Sequence, residues 1–419
     1  MPTALYDDTL LFRFLNYFSQ NASERTWTAK LPSLVSAKNA AAMKTAARAV
    51  SLAFAAEKVH DSAMAQAACE FYGSSLRYHQ ASFKAPPGKS ICKKKAVNAL
   101  PVTVLLSYFE MIQATSIGAW LNHTLAAERL FVLLGPDVLD DELLNHLYFI
   151  VKSYSAIRCF LLGTRTQLLE RPWSDVPMSH PCGRSATVFN SLVDLIMSLS
   201  DSINVNDSLA NLCLMSYHSS SWERTLSELR RLWVVFGESI ELDADMHPLL
   251  VDESGGRISS CVGSVTELTL PTLPQALQES SAALTAAFFH AAVILLLTLL
   301  RRKGLSLPLS KITYTYHQPA SWGLAASGAG RSLSAVLHHS SQILALTQYL
   351  RTQEIGCACL RMILPLAIVN RLSPSQHQSL MSETVYRDWS TRDGLVGLAS
   401  LAFGNKDKTS ANVLLDVSM

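Results

Sequence analysis

The sequence predicts an all-α fold: one large multi-helix domain of packed helical hairpins over residues 1–419. Three observations predict it. Apolar residues recur at helical spacing along most of the chain. Punctuating residues are sparse, with Gly 18 and Pro 16 in 419 residues, which favours long elements. Alternating apolar and polar runs are missing apart from "KITYTYH" (311–317), so a sheet has little to build on.

Taken in order, "AKNAAAMKTAARAVSLAFAAEKV" (37–59) is rich in Ala, the strongest helix former. Asp61 follows as an N-cap, its carboxylate placed to accept backbone N–H groups of the next turn. In "SAMAQAACEFYGSSLRYH" (62–79), Ala68, Tyr72 and Leu76 recur at every fourth position. The pair makes a helical hairpin of tetratricopeptide type, but no fixed period extends it into a solenoid. Residues 81–101 are expected as a loop, broken by Pro86, Pro87 and Gly88, with a helix starting near Val102. Further amphipathic helices follow to either side of a stop at Gly135 and Pro136.

The stretch "TRTQLLERPWSDVP" (164–177) is read as a helix end, after which the chain turns at Pro172 with Trp173 beside it. Residues 187–236 hold two or three more helices, with Ser219 to Ser221 in the role of a cap. Residues 241–280, which include "ESGGRISSCVGSVTE", carry no period and are expected as a mobile loop or subdomain junction. An apolar helix over 282–303 and a Gly-rich connection over 317–331 come next. Two more helices lead to Ser373-Pro374-Ser375-Gln376, a capping box with Pro at the first helical position.

The bulk numbers narrow the function. Charged residues make up 16% and the formal net charge is +2, against a usual charged share of about 25%. That balance argues against broad nucleic-acid binding, which needs clustered cations to displace counterions. The runs Lys93-Lys94-Lys95 and Arg301-Arg302-Lys303 are short enough to be solvated helix ends. Eight cysteines (Cys69, Cys92, Cys159, Cys182, Cys213, Cys261, Cys357 and Cys359) form no CxxC pair. With Asp7 and Asp8 near the start and no secretory-type leader, reduced and mostly buried thiols in an intracellular protein are expected. "AALTAAFFHAAVILLLTLLRRK" (282–303) has the length of a membrane span. His290 near its middle and its Ala-rich first half favour a buried central helix.

No HExxH, GxSxG or Walker loop is present. "GLAASGAGRS" (323–332) lacks the Lys that reaches phosphate, and the His beside three serines in "YHSSSWER" (217–224) is adjacent only in sequence. No catalytic, cofactor or metal residue is expected. His123, His338 and His339 lie on amphipathic segments, where packing or hydrogen bonding is the ordinary role. Glu110 and Arg158 sit inside apolar helices, and buried charges of this kind pair or join polar networks.

The run "LLSYFEMIQATSIGAWLNHTLAAERLFVLLGP", then "AIRCFLLGTRTQLLERPWSDVP", then "CLRMILPLAIVNRLSPSQHQSLMSETVYRDW", resembles the fungal-specific transcription factor domain, the helical region C-terminal to Zn₂Cys₆ clusters in fungal regulators. The matching positions are Glu110, Trp120, His123, Gly135, Pro136, Arg158, Arg165, Trp173, Pro365 and Trp389. Their order and spacing carry the resemblance, which covers about residues 5–395. It implies a nuclear or nucleocytoplasmic, non-enzymatic regulator of transcription in a fungal secondary-metabolite pathway. It also implies that Pro172 stops its helix and that Trp173 packs the turn. The sequence departs from the pattern in having no six-cysteine cluster, basic linker or coiled coil. A protein partner, such as a DNA-binding regulator, or a small-molecule effector is therefore expected in place of direct DNA binding. A missing first exon or reuse of the helical domain for another purpose fits the same departure. The alternative classes are a small-molecule-binding or enzymatic helical protein and a membrane protein anchored by 282–303.

Overall fold

The computed structural model describes residues 3–18, 27–37, 40–83, 92–116, 118–170, 172–173, 184–205, 215–239, 279–302, 328–353 and 356–404. Among them every regular element is helical, so the all-α class holds. The helices are α1 (Thr3–Phe18), α2 (Trp27–Ser36), α3 (Ala41–Val59), α4 (Ser62–Phe83), α5 (Lys93–Gln113) and α6 (Ala119–Leu134), followed by α7 (Glu142–Leu162), α8 (Arg184–Val205) and α9 (Met215–Ser239). The last five are α10 (Ser280–Arg302), α11 (Gly328–Thr352), α12 (Gly356–Leu372), α13 (Gln376–Asp393) and α14 (Val396–Phe403). The chain divides into two compact units. The first comprises Met1–Ser19, Thr26–Leu134 and Glu383–Met419; the second comprises Gln20–Arg25 and Gly135–Ser382.

The first unit is organised on the α3–α4 hairpin, with α5 packed on α3, α4 and α6. Asp61 caps α4 as expected, its Oδ1 accepting from Met64 N at 3.0 Å. Phe14 and Phe18 of α1 meet Phe54 of α3 and Tyr108 of α5 at ring distances of 5.4–6.1 Å. These edge-on contacts tie three helices into one aromatic core.

The expected loop at 81–101 is corrected. Helix α4 continues to Phe83 and α5 already starts at Lys93, running through Pro101. An interior proline removes a backbone donor and costs about 3 kcal/mol. Here α5 is buried on nearly all sides from Ala99 to Ile112, and that tertiary burial offsets the local penalty. The breakers Pro86, Pro87 and Gly88 lie outside the described residues.

In the second unit α10 is central, packed by α8, α11 and α12, while α7 rests on α8 and α12. Seventeen of its residues from Ala282 to Leu300 are buried. By length and composition α5 and α10 could each cross a membrane, and both are largely buried in this structure. Helix α6 stops at Leu134 and a 3₁₀ turn, Pro136–Asp140, follows Gly135, as the Gly-Pro pair predicts.

Several expected boundaries move. The helix before Trp173 does not end at Pro172: α7 ends at Leu162, where Gly163 takes φ 66° and donates to Cys159 O at 3.0 Å. Only glycine adopts this left-handed cap without cost. A short 3₁₀ turn, Gln167–Leu169, follows, capped by Thr166. Ser219 to Ser221 lie inside α9 rather than at its start. The end of the Gly-rich connection, 328–331, belongs to α11. Helix α13 starts at Gln376, with Ser375 Oγ accepting from Gln378 N at 3.3 Å. Ser373, the expected cap, instead bonds the Gln378 side chain at 2.7 Å. Residues 241–278 and 311–327 lie outside the described residues.

Candidate functional site

Two of the positions singled out by resemblance converge in the first unit, on a third residue that was not. Tyr72 of α4 stacks on Phe109 of α5, with centroids 4.2 Å apart and an 8° interplanar angle. That stack directs the phenol toward α6, where Tyr72 Oη lies 2.8 Å from His123 Nε2. Glu110, one residue beyond Phe109, is only 2% exposed and is the charged group that acts on this phenol. Burial and then the Glu110 carboxylate push the Tyr72 phenol well above its usual range, so it stays a neutral hydrogen-bonding group.

Glu110 has a second task. Its Oε2 accepts from Thr115 N at 2.9 Å and its Oε1 from Thr115 Oγ1 at 2.6 Å. A buried carboxylate thus closes the last turn of its own helix, where Ala114 holds φ 48°. Cys69 of α4 is exposed as a residue, yet partial desolvation of its thiol and then Glu110 raise it above its usual value. Further along α4, His79 Nε2 lies 3.0 Å from Thr103 Oγ1. Burial lowers His79 to about 4 and, with His79 adding to it, His123 to about 4. Both imidazoles are neutral at pH 7, and which nitrogen carries the proton follows from the bond it makes.

The second unit holds a different arrangement. Trp173 is buried and stacks on Tyr148 of α7 at 5.2 Å and 20°. Lys152, one turn along α7, places its Nζ 5.5 Å above the Tyr148 ring and 2.7 Å from the Asp194 carboxylate of α8. Lys152 is 2% exposed and Asp194 35%. Burial pulls both groups toward neutrality, and the close contact opposes it in each. Deeper in the unit, His290 Nδ1 of α10 lies 2.8 Å from His339 Nδ1 of α11. Burial lowers His290 to about 3, with His338 adding to it, and places His339 well below its usual range, with His290 and then His338 adding to that shift. Two imidazoles bonded nitrogen to nitrogen need at least one unprotonated partner.

The remaining expected positions are supports. Trp120 and Trp389 are buried, Trp389 fully. Pro365 is buried inside α12. Arg158 is 3% exposed and donates to Thr164 Oγ1 at 2.7 Å, holding the chain just past the α7 cap. Arg165 lies outside the helix, 67% exposed, 3.8 Å from Asp201. Cys159 and Cys359 are buried, whereas Cys69 and Cys92 are exposed, so the expectation of mostly buried thiols holds for half of the described ones. Among the described residues no group of three His, Cys, Asp or Glu is placed to hold a metal ion.

Sequence reasoning overlooked Tyr72 as a polar hub, the Lys152–Asp194 pair and the partnership of His290 with His339. The signal for the first was present: Tyr72 shares its helical stripe with Ala68 and Leu76, so its hydroxyl had to meet a partner inside. No family model, curated protein or solved structure matches the chain.

Proposed function

We propose that this protein is a non-enzymatic regulator of transcription that acts from the nucleus through a protein partner, without specific DNA binding of its own. The reading rests on the sequence resemblance to the fungal-specific transcription factor domain. What supports it in the fold is the use made of the resembling residues. Glu110 and His123 join α4, α5 and α6 around Tyr72, and Trp173 seals α7 through Tyr148. Control of a secondary-metabolite pathway and response to a small effector are the finer form of the same proposal.

A reporter assay tests it. The full chain fused to an unrelated DNA-binding domain should change transcription from a promoter carrying that domain's site. The unfused chain should give no sequence-selective, salt-resistant gel shift. An inert fusion, together with unchanged transcripts after loss of the gene, would overturn the reading. Retention in membranes after alkaline carbonate washing would favour the anchored alternative through α10.

A further inference from the structure

The last turn of α5 is gripped from two sides, and the second grip comes from the far end of the described chain. On one side the Glu110 carboxylate binds Thr115 through both oxygens and reaches Tyr72. On the other side α14 lies directly on the turn's backbone. A Cβ at Gly397 would collide with the Glu110 carbonyl oxygen and sit 2.9 Å from Ala114 Cβ and 3.0 Å from Met111 O. No other residue allows this approach. Between the two grips Ala114 is held at φ 48°, a conformation that L-residues other than glycine and asparagine rarely adopt.

Helix α14 has eight residues, too few to persist in water unaided. It is kept in place by burial of Leu398, Ala399, Ala402 and Phe403. Two cations hold it and its approach: Arg387 Nη2 donates to Phe403 O at 2.6 Å, and Lys58 Nζ donates to Arg392 O at 3.0 Å. We propose that α14 is an intramolecular clasp on the Tyr72–Glu110–His123 cluster. Its docking and the ordering of residues 110–116 form one cooperative unit, and its release frees the Glu110 carboxylate and opens the seat on α5. The chain then has two states, clasp seated and clasp released, and any interaction that favours one shifts the cluster with it. This inference stands apart from the regulatory reading and survives if that reading fails.

Coupling of this kind is reciprocal, which makes it testable from both ends in the full-length chain. The Cys69 thiol is raised by burial and then by Glu110, so it reports on the packing around the cluster: loosening that packing frees the reactive thiolate. Cys92, also exposed, serves as the internal reference. In Gly397→Ala, amide exchange should rise roughly tenfold or more in 396–403 and in 110–116 together, and Cys69 alkylation should accelerate relative to Cys92 with overall helicity retained. In Thr115→Ala, a change at an exposed residue, exchange should rise in 396–403 although no atom of α14 has been altered. If Gly397→Ala loosens α14 and leaves 110–116 and Cys69 unchanged, the clasp is not coupled and the proposal falls. Should Gly397→Ala fail to fold, Thr115→Ala decides: unchanged exchange in α14 overturns the proposal.

Discussion

The two units bury polar side chains in opposite ways. In the first, a phenol, an imidazole and a carboxylate share one place, and the carboxylate is also bound to the backbone of its own helix end. In the second, Lys152 and Asp194 form an ion pair, while His290 and His339 bond as neutral rings within an apolar helix packing. The difference is one of escape routes. Asp194 keeps a third of its side chain in water, so its pair can relax when disturbed. The histidine pair has no such outlet: His290 is 2% and His339 7% exposed. A buried group that cannot reach solvent makes the fold sensitive to its protonation.

Acid should therefore expose the contrast most strongly. His290 binds its proton in the unfolded chain near pH 6.5 and in the folded chain only near about 3. The unfolded state thus binds more protons between these values, and stability falls as pH drops from 6.5 toward 3. At about 1.4 kcal/mol per unit this is on the order of 5 kcal/mol for one fully buried ring. His79 and His123, with folded values of about 4, act in the same direction over a narrower window. Urea midpoints measured from pH 8 to pH 4 should be level above 7 and then decline. In His290→Gln the acid limb should be visibly flatter. An unchanged limb would mean that the pair in the second unit is not the sensitive one.

Asymmetry within the ion pair is the next expected effect. Asp194→Ala leaves a 2% exposed ammonium without its counter-charge and should cost about 3–5 kcal/mol. Lys152→Met replaces the buried partner with an apolar chain while Asp194 still meets water, and should cost within about 1 kcal/mol. Equal losses in denaturant titrations would contradict the role given to solvent at Asp194. Trp173→Ala should cost about 3 kcal/mol or more, since its ring is buried on Tyr148. A variant that unfolds at the same denaturant concentration and loses activity would recast Trp173 as a binding contact.

In the first unit the effect of a single bond is smaller. Tyr72→Phe keeps the stack on Phe109 and removes only the hydroxyl between His123 and Glu110, for a loss of about 1 kcal/mol. The His123 ring resonances should shift in the same variant; if they stay put, the 2.8 Å contact is not formed in solution. Least of all should be Arg165→Ala: a 67% exposed guanidinium 3.8 Å from Asp201 contributes within about 0.5 kcal/mol, so its unfolding midpoint should match the parent's.

The sequence alone determined what depends on near neighbours. Asp61 caps α4 because its carboxylate meets an N–H three residues on, and Gly135-Pro136 ends α6 because neither residue continues a helix. His290 was legible as buried because its apolar surroundings are local, whereas the packing of Trp173 was implied by the resemblance. Tertiary structure decided the rest. Residues up to Pro101 read as a loop, yet α5 runs through Pro101 because packing on α3, α4, α6 and α14 outweighs one lost hydrogen bond. Ser373 reads as a cap, yet Ser375 does the work because Ser373 is drawn to the Gln378 side chain. The same holds for the polar sites. Tyr72 and His123 are 51 residues apart and His290 and His339 are 49 apart. No local pattern pairs residues at such separations, because each partner is chosen by which helix faces pack together, and that choice is made by the whole core.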